Sequence, residues 1–98
     1  RMKRARRTDA NHAEIMQALR ATGAYVVDCS RVGAGFPDAL VFWRGQCIPV
    51  EIKDGAKSPS RRVLTPDQVK FHAESAARGC AIPVVTSIDE ALALVGAQ

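Results

Sequence analysis

Two short apolar runs on either side of a glycine constrain this chain more than any other feature. Residues 39–43 and 47–50 are rich in apolar, β-branched or aromatic side chains, and Gly45-Gln46 stands between them. A two-residue connector that begins with glycine suits a tight turn of type II′. The sequence therefore predicts an antiparallel hairpin that turns at Gly45-Gln46.

The register of this hairpin brings three charged residues to one end of the sheet. With the turn at Gly45-Gln46, Leu40 faces Glu51, and Asp38 faces Lys53. Because side chains alternate along a strand, the three charges share one face, and opposite or diagonal residues lie roughly 5 to 8 Å apart. Charges beside apolar strand residues are costly unless they are paired or bound to a metal.

The chemistry of these three groups suggests a metal site. Asp38 and Glu51 would form an oxygen-rich site for a hard divalent cation such as Mg²⁺, which keeps several waters. One of those waters could attack phosphorus, while Lys53 could hold the water or offset negative charge. The hairpin alone is explained equally well by a structural salt bridge between Asp38 and Lys53.

Composition narrows the class of protein. The 98 residues are 47% apolar, which fits one small globular domain with a modest core. The first seven residues hold five of the 14 basic residues, so nine basic and ten acidic residues remain in the body of the chain. We predict that residues 1–7 form a disordered basic arm, which either touches phosphates or is simply solvated, and that residues 8–98 form a single domain.

Several other classes are not expected. No apolar run reaches the roughly 18 residues of a membrane span, and the basic start is not followed by the hydrophobic region of a signal peptide. Gly33-Ala34-Gly35 lacks the third glycine and the helix of a dinucleotide fingerprint, so no nucleotide cofactor is expected. Cys29, Cys47 and Cys80 have no C-x-x-C spacing, and we expect buried apolar cysteines in a reducing cytoplasm.

Helical spacing and capping patterns predict three helices. The first starts at Asp9 or one residue earlier and ends near Thr22, and the third opens with a capping box at Ser87. The second starts at Thr65, whose hydroxyl can cap the helix together with Gln68. This second helix is predicted to run to residue 78 with an inward face formed by Val69, His72, Ala73 and Ala76.

Strands are predicted over residues 24–29 and 80–86 in addition to the hairpin. The third and fourth strands flank a helix long enough for a right-handed crossover, so they are expected to lie parallel. The order helix, three strands, helix, strand and helix predicts an α/β fold with a mixed central sheet and a C-terminal helix.

Three motifs resemble a known group of nucleases. Pro37-Asp38, followed after a strand, a turn and a strand by Glu51-Ile52-Lys53, resembles the PD-(D/E)XK signature. Residues 32–38, 51–55 and 64–68 together resemble the VRR-NUC branch of that superfamily, in its small stand-alone form from bacteria and phages. The resemblance covers about residues 8–96, and the αβββαβ core that it implies agrees with the predicted order of elements.

The resemblance also implies roles for individual residues. Asp38 and Glu51 would be metal ligands with the Ile52 carbonyl as a third, and the cofactor would be Mg²⁺ or Mn²⁺. Lys53 would be the catalytic lysine. Gln68 would be an active-site residue on the second helix, although it could simply cap that helix. His72 is predicted to be a packed or surface histidine, with a role as general base as the weaker alternative.

The first helix is where the chain departs from the general pattern of such nucleases. Many of them carry a metal-binding glutamate on this helix, but Glu14 points almost opposite the predicted buried face. Asp9, Asn11 and His12 lie nearer the buried side, and any of them could approach the metal or the DNA. A capped helix with a core histidine is the better-supported alternative.

Basic residues near the site are the predicted DNA contacts. Arg31 begins the glycine-rich loop before Asp38, and residues 54–63 form a polar loop that leaves the third strand directly. We predict that this loop is either a mobile flap that contacts DNA or a plain solvated loop. The predicted contacts are Arg31, Lys57, Arg61 and Arg62.

The predicted function is metal-dependent hydrolysis of DNA phosphodiester bonds. Stand-alone VRR-NUC proteins are similar to homodimeric resolvases that cut four-way (Holliday) junctions, and a two-fold dimer would suit such a junction. The alternatives are a non-catalytic module that binds branched or single-stranded DNA and a nuclease of other specificity, of the flap or restriction type.

Overall fold

Three α-helices, four strands and one short 3₁₀ helix form the fold in a computed structural model of the chain, which describes residues 10–96 without the side chain of Arg61. The predicted basic arm, Thr8 and Asp9 lie outside these residues. No helix in the described range is both long and apolar enough to cross a bilayer. The elements are α1 His12–Ala21, β1 Tyr25–Asp28, β2 Ala39–Trp43, β3 Gln46–Ile52, the 3₁₀ helix Pro59–Arg61, α2 Pro66–Ala76, β4 Val84–Val85 and α3 Ile88–Ala93.

The four strands form one mixed sheet in the order β1-β2-β3-β4. β1, β2 and β3 are successively antiparallel, and β4 returns parallel to β3 after α2. The crossover is anchored by backbone bonds of 2.9 Å from Glu51 N–H to the Pro83 carbonyl and from Lys53 N–H to the Val85 carbonyl. The predicted α/β order and the parallel pairing of the third and fourth strands are therefore confirmed.

The hydrophobic core lies between α1, α3 and one face of the sheet. The predicted spacing on α1 is confirmed, since His12, Ile15, Met16 and Leu19 are all buried. Alternation along the strands turns every second residue toward these helices. Buried strand residues in this core are Val26, Ala39, Val41, Val50, Ile52 and Val85. The other face of the sheet carries Glu51, and α2 covers that end of it.

The hairpin turns one residue earlier than predicted. Trp43 pairs with Gln46, so the two turn residues are Arg44 and Gly45, with φ of 45° and 81°. Positive φ at both positions is the mark of a type I′ turn, whose twist matches that of the strands. The left-handed conformation is costly for arginine, but the Arg44 guanidinium lies 4.8 Å from the ring centroid of Trp43.

This turn shifts the strand register by two residues from the prediction. Leu40 pairs with Pro49, where the sequence analysis placed it opposite Glu51. Because side chains alternate with a period of two, the same residues still share a face. The predicted assignment of residues to sheet faces is therefore correct, although the predicted cross-strand pairs were wrong.

Two helices differ from their predictions. α1 begins at His12 with Asn11 at the N-cap, and the Asn11 side chain makes no capping bond. α2 ends at Ala76. Of the predicted inward face only His72 lies against the sheet, with a side chain 14% exposed, whereas Val69, Ala73 and Ala76 are exposed and Gln68 is buried. Apolar spacing is misleading here because this helix covers a polar part of the sheet.

The third helix and the last strand also need correction. Ser87 caps α3 by accepting from Glu90 N–H at 3.1 Å, but Glu90 Oε1 accepts from Thr86 instead of completing the box at Ser87. β4 has only two residues, Val84–Val85, because the preceding Pro83 has no N–H to extend the ladder. Among the cysteines, Cys29 is buried as predicted, whereas Cys47 and Cys80 are exposed.

A close contact at Gly35 fixes α2 against the loop that precedes Asp38. Gly35 has φ +80°, and a Cβ atom there would overlap the backbone carbonyl of Asp67 in the first turn of α2. Gly33 has a similar φ of +85°, but nothing lies within 4 Å of a Cβ at that position. The two glycines therefore share a left-handed backbone conformation, but only Gly35 lies in close contact with α2.

We predict that Gly35→Ala destabilises the protein by at least about 2 kcal/mol, since left-handed strain and overpacking add. Gly33→Ala is the matched control and should cost only the strain, about 1–2 kcal/mol, less any gain from a stiffer unfolded chain. Urea unfolding measures both values. Equal losses for the two variants would show that the contact between Gly35 and α2 is unimportant.

Candidate active site

Asp38 is held between two neighbouring strands just before β2. Its Oδ2 accepts a hydrogen bond from the Ile52 backbone N–H at 2.8 Å, and its carbonyl oxygen accepts one from Cys29 N–H at 2.7 Å. One step past the last pair of the β2–β3 ladder, Asp38 stands opposite Glu51, where the sequence analysis had placed Lys53. The two carboxylates are therefore closer neighbours than predicted.

The Glu51 side chain is the most deeply buried polar group of the site. It is 0% exposed, and both of its carboxylate oxygens have partners on α2. Oε2 accepts from Gln68 Nε2 at 3.0 Å, and Oε1 lies 3.1 Å from His72 Nε2. A buried carboxylate is tolerated only with such partners, so α2 is an integral part of this site.

Gln68 connects three parts of the site through one amide group. Its Oε1 accepts from the Thr65 backbone N–H at 2.9 Å and from Lys53 Nζ at 2.8 Å. Its Nε2 donates to Glu51, and its backbone N–H donates to Thr65 Oγ1 at 3.2 Å. The predicted capping box is confirmed, and the same side chain also contacts both Lys53 and Glu51. The two interpretations of Gln68 are thus compatible.

The backbone of Ile52 adds a third oxygen on the Asp38 side. The N–H and C=O of one strand residue point to the same neighbour, and the Ile52 N–H points at Asp38. Within the described residues, no group of three or more His, Cys, Asp and Glu side chains could hold a metal ion. The oxygens of Asp38 and Glu51 and the Ile52 carbonyl are the predicted ligands, and cation binding by them stays a prediction.

This oxygen set fits Mg²⁺ or Mn²⁺ better than a metal that needs an all-protein cage. Mg²⁺ is usually held by one or two carboxylates and keeps several waters. A carboxylate offers about four acceptor sites, so the two bonds from α2 do not by themselves exhaust those of Glu51. The buried Glu51 carboxylate opposite the half-buried Asp38 is the observation that makes a cation here physically reasonable.

His72 is the functional candidate whose contact the sequence analysis missed. Its side chain is only 14% exposed and lies against Glu51. Burial, and then the positive charge of Lys53, lower the pKa of His72, so the ring is neutral near pH 7. The available signal was its position four residues after Gln68, which places both side chains on one helical face.

The first-helix candidates make contacts away from the paired carboxylates. Asn11 Nδ2 donates to the backbone carbonyls of Lys53 and Thr86, both at 3.1 Å, and so joins the ends of β3 and β4. His12 Nε2 lies 3.4 Å from Asp28 Oδ2 on the core side of the sheet. Glu14 is exposed, as predicted. Asp9 lies outside the described residues.

The predicted DNA contacts lie on two loops, one that precedes β2 and one that follows β3. Arg31 and Lys57 are exposed, and Arg62 is half-buried. The loop of residues 54–63 has local structure, since the Lys57 N–H donates to the Asp54 carbonyl at 3.1 Å and a 3₁₀ turn follows. The Arg61 side chain is outside the described part of the chain. Contact of these residues with DNA stays a prediction.

Comparison with known proteins agrees with this fold. No family model and no curated protein gives a significant match to the sequence. A solved structure described as a VRR_NUC domain matches 87% of this chain and 94% of its own, with a TM-score of 0.63 and 28% identity. This chain therefore has the VRR-NUC type of fold, a nuclease-type domain of PD-(D/E)XK architecture.

Proposed function

We propose that this protein is a metal-dependent endodeoxyribonuclease that hydrolyses phosphodiester bonds with Mg²⁺ or Mn²⁺ as cofactor. The observation that carries the proposal is the fully buried Glu51 carboxylate opposite Asp38, connected through Gln68 to Lys53. Two oxygen ligands and an amine on one sheet face match the chemistry of phosphodiester cleavage. The likeness to a VRR_NUC domain supports the same conclusion.

Each residue of the site has a separate role in this proposal. Asp38, Glu51 and the Ile52 carbonyl would hold the cation, which when bound supplies a more acidic water and neutralises phosphate charge. The Lys53 ammonium, held by Gln68, would donate to a non-bridging phosphate oxygen and stabilise the charge that develops there. Gln68 would keep Lys53 and Glu51 in a fixed relation to each other.

The proposed substrate is branched DNA, with the four-way junction as its first candidate, cut by a homodimer. This part of the proposal rests on the resemblance to stand-alone VRR-NUC proteins and on symmetry, since a two-fold dimer presents two matched sites to a two-fold junction. Arg31, Lys57 and Arg62 are the basic residues proposed to contact phosphates.

A panel of labelled DNA substrates tests the proposal and its alternatives. Four-way junction, flap, linear duplex and single strand are incubated with Mg²⁺ or Mn²⁺, and sedimentation measures the oligomeric state. We expect junction cleavage that EDTA abolishes. Preferred cutting of flaps or linear duplex would indicate another specificity, and binding without cleavage at any metal concentration would indicate a binding module.

We predict that Lys53→Ala lowers the turnover number for DNA cleavage by about 10²–10³-fold, because it removes one donor to the transition state. DNA binding in Ca²⁺ should persist, since the metal ligands remain. Lys70→Ala removes the same charge from an exposed position on α2 and is the control. Normal turnover of the Lys53 variant would remove this lysine from the chemistry.

We predict that Glu51→Gln weakens Mn²⁺ binding at least about tenfold, because a neutral amide is a poorer ligand for a hard cation. Titration calorimetry without DNA measures this affinity directly. Glu74→Gln, which changes an exposed glutamate on α2 that pairs only with Arg78 in the described structure, should leave the affinity unchanged. An unaltered affinity for the Glu51 variant would refute its assignment as a ligand.

A further inference from the structure

We infer that His72 is a positioning residue that fixes the orientation of the Glu51 carboxylate for cation binding. This inference deepens the proposed function and rests on it. It starts from the 3.1 Å contact between His72 Nε2 and Glu51 Oε1, in a place where Glu51 is 0% exposed. Because an ionised carboxylate only accepts hydrogen bonds, the imidazole nitrogen at this contact is the donor.

The geometry of α2 gives His72 a task that Gln68 cannot perform alone. Gln68 and His72 are four residues apart, so both side chains project from one face of the helix. Each donates to a different oxygen of Glu51. One donor would allow the carboxylate to rotate about its terminal bond, whereas two donors on two oxygens fix its plane. The remaining acceptor directions of Glu51 are then set relative to Asp38.

The contact gives His72 a positioning role. Its Nε2 faces Glu51 Oε1 at 3.1 Å, so through this nitrogen His72 acts on a bound cation by way of Glu51. Groups that orient metal ligands in this way typically change metal affinity or activity by about 10–100-fold when they are replaced.

Three substitutions of His72 test the inference in the full-length protein. His72→Gln keeps an N–H near the position of Nε2, while His72→Leu keeps bulk but removes the donor. If leucine prevents folding, His72→Asn, whose amide is too short to reach Oε1, replaces it in the same comparison. Val69→Ala, at an exposed position of α2, is the control. Mn²⁺ affinity without DNA and the Mg²⁺ concentration for half-maximal cleavage are measured for each variant.

We expect the leucine or asparagine variant to bind Mn²⁺ about 10–100-fold more weakly and the glutamine variant to recover most of the affinity. Wild-type affinity in the leucine or asparagine variant would overturn the inference, and so would a glutamine variant as weak as leucine, since shape alone would then matter. A wild-type protein that binds no Mn²⁺ would overturn the proposed function, and this inference with it. If the wild type binds Mn²⁺ and Glu51→Gln weakens that binding, an unchanged affinity of the leucine or asparagine variant would overturn this inference alone.

Discussion

The burial of the Glu51 carboxylate determines which face of α2 lies against the sheet. Glu51 is completely inaccessible to solvent, so its charge requires donors from within the protein. Gln68 and His72 supply one donor to each oxygen, and they can do so only if this face of α2 lies over the sheet. The apolar side chain of Val69 is left exposed in consequence. The hydrogen bonds to Glu51, together with the packing of Phe71 against Phe36, therefore set the orientation of α2.

Contacts outside the site maintain this arrangement. Gly35 allows the loop before Asp38 to lie directly against the first turn of α2, so Asp38 is held close to the helix that supplies the donors to Glu51. On the opposite side of the sheet, Asn11 joins the ends of β3 and β4 through their backbone carbonyls. The capping box at Thr65 places Gln68 at the start of the helix, where it reaches Lys53. Helix formation and site assembly thus depend on the same amide.

The features that follow from the alternation of side chains along a strand were predicted correctly from the sequence. The predictions failed where opposing interactions of similar free energy decide the conformation. Asp38, Glu51 and Lys53 were placed on one face because alternation is unaffected by a two-residue shift in register. The predicted position of the turn was wrong because a left-handed backbone conformation is unfavourable for Arg44. In the structure, the Arg44 guanidinium compensates by contacting the Trp43 ring. Three of the four residues predicted to face inward on α2 were misassigned because apolar spacing cannot reveal that the helix covers a buried charge. His72 was expected to pack, but its contact with Glu51 was missed for the same reason.

We propose above all that Asp38 and Glu51, at the end of the β2–β3 hairpin away from its turn, hold a cation. A crystal structure of the protein with Mn²⁺, recorded with anomalous diffraction, tests it most directly. We expect an anomalous peak within coordination distance of Asp38, Glu51 and the Ile52 carbonyl, with both donors from α2 still bound to Glu51. Manganese bound elsewhere, with no peak between Asp38 and Glu51, would contradict this assignment.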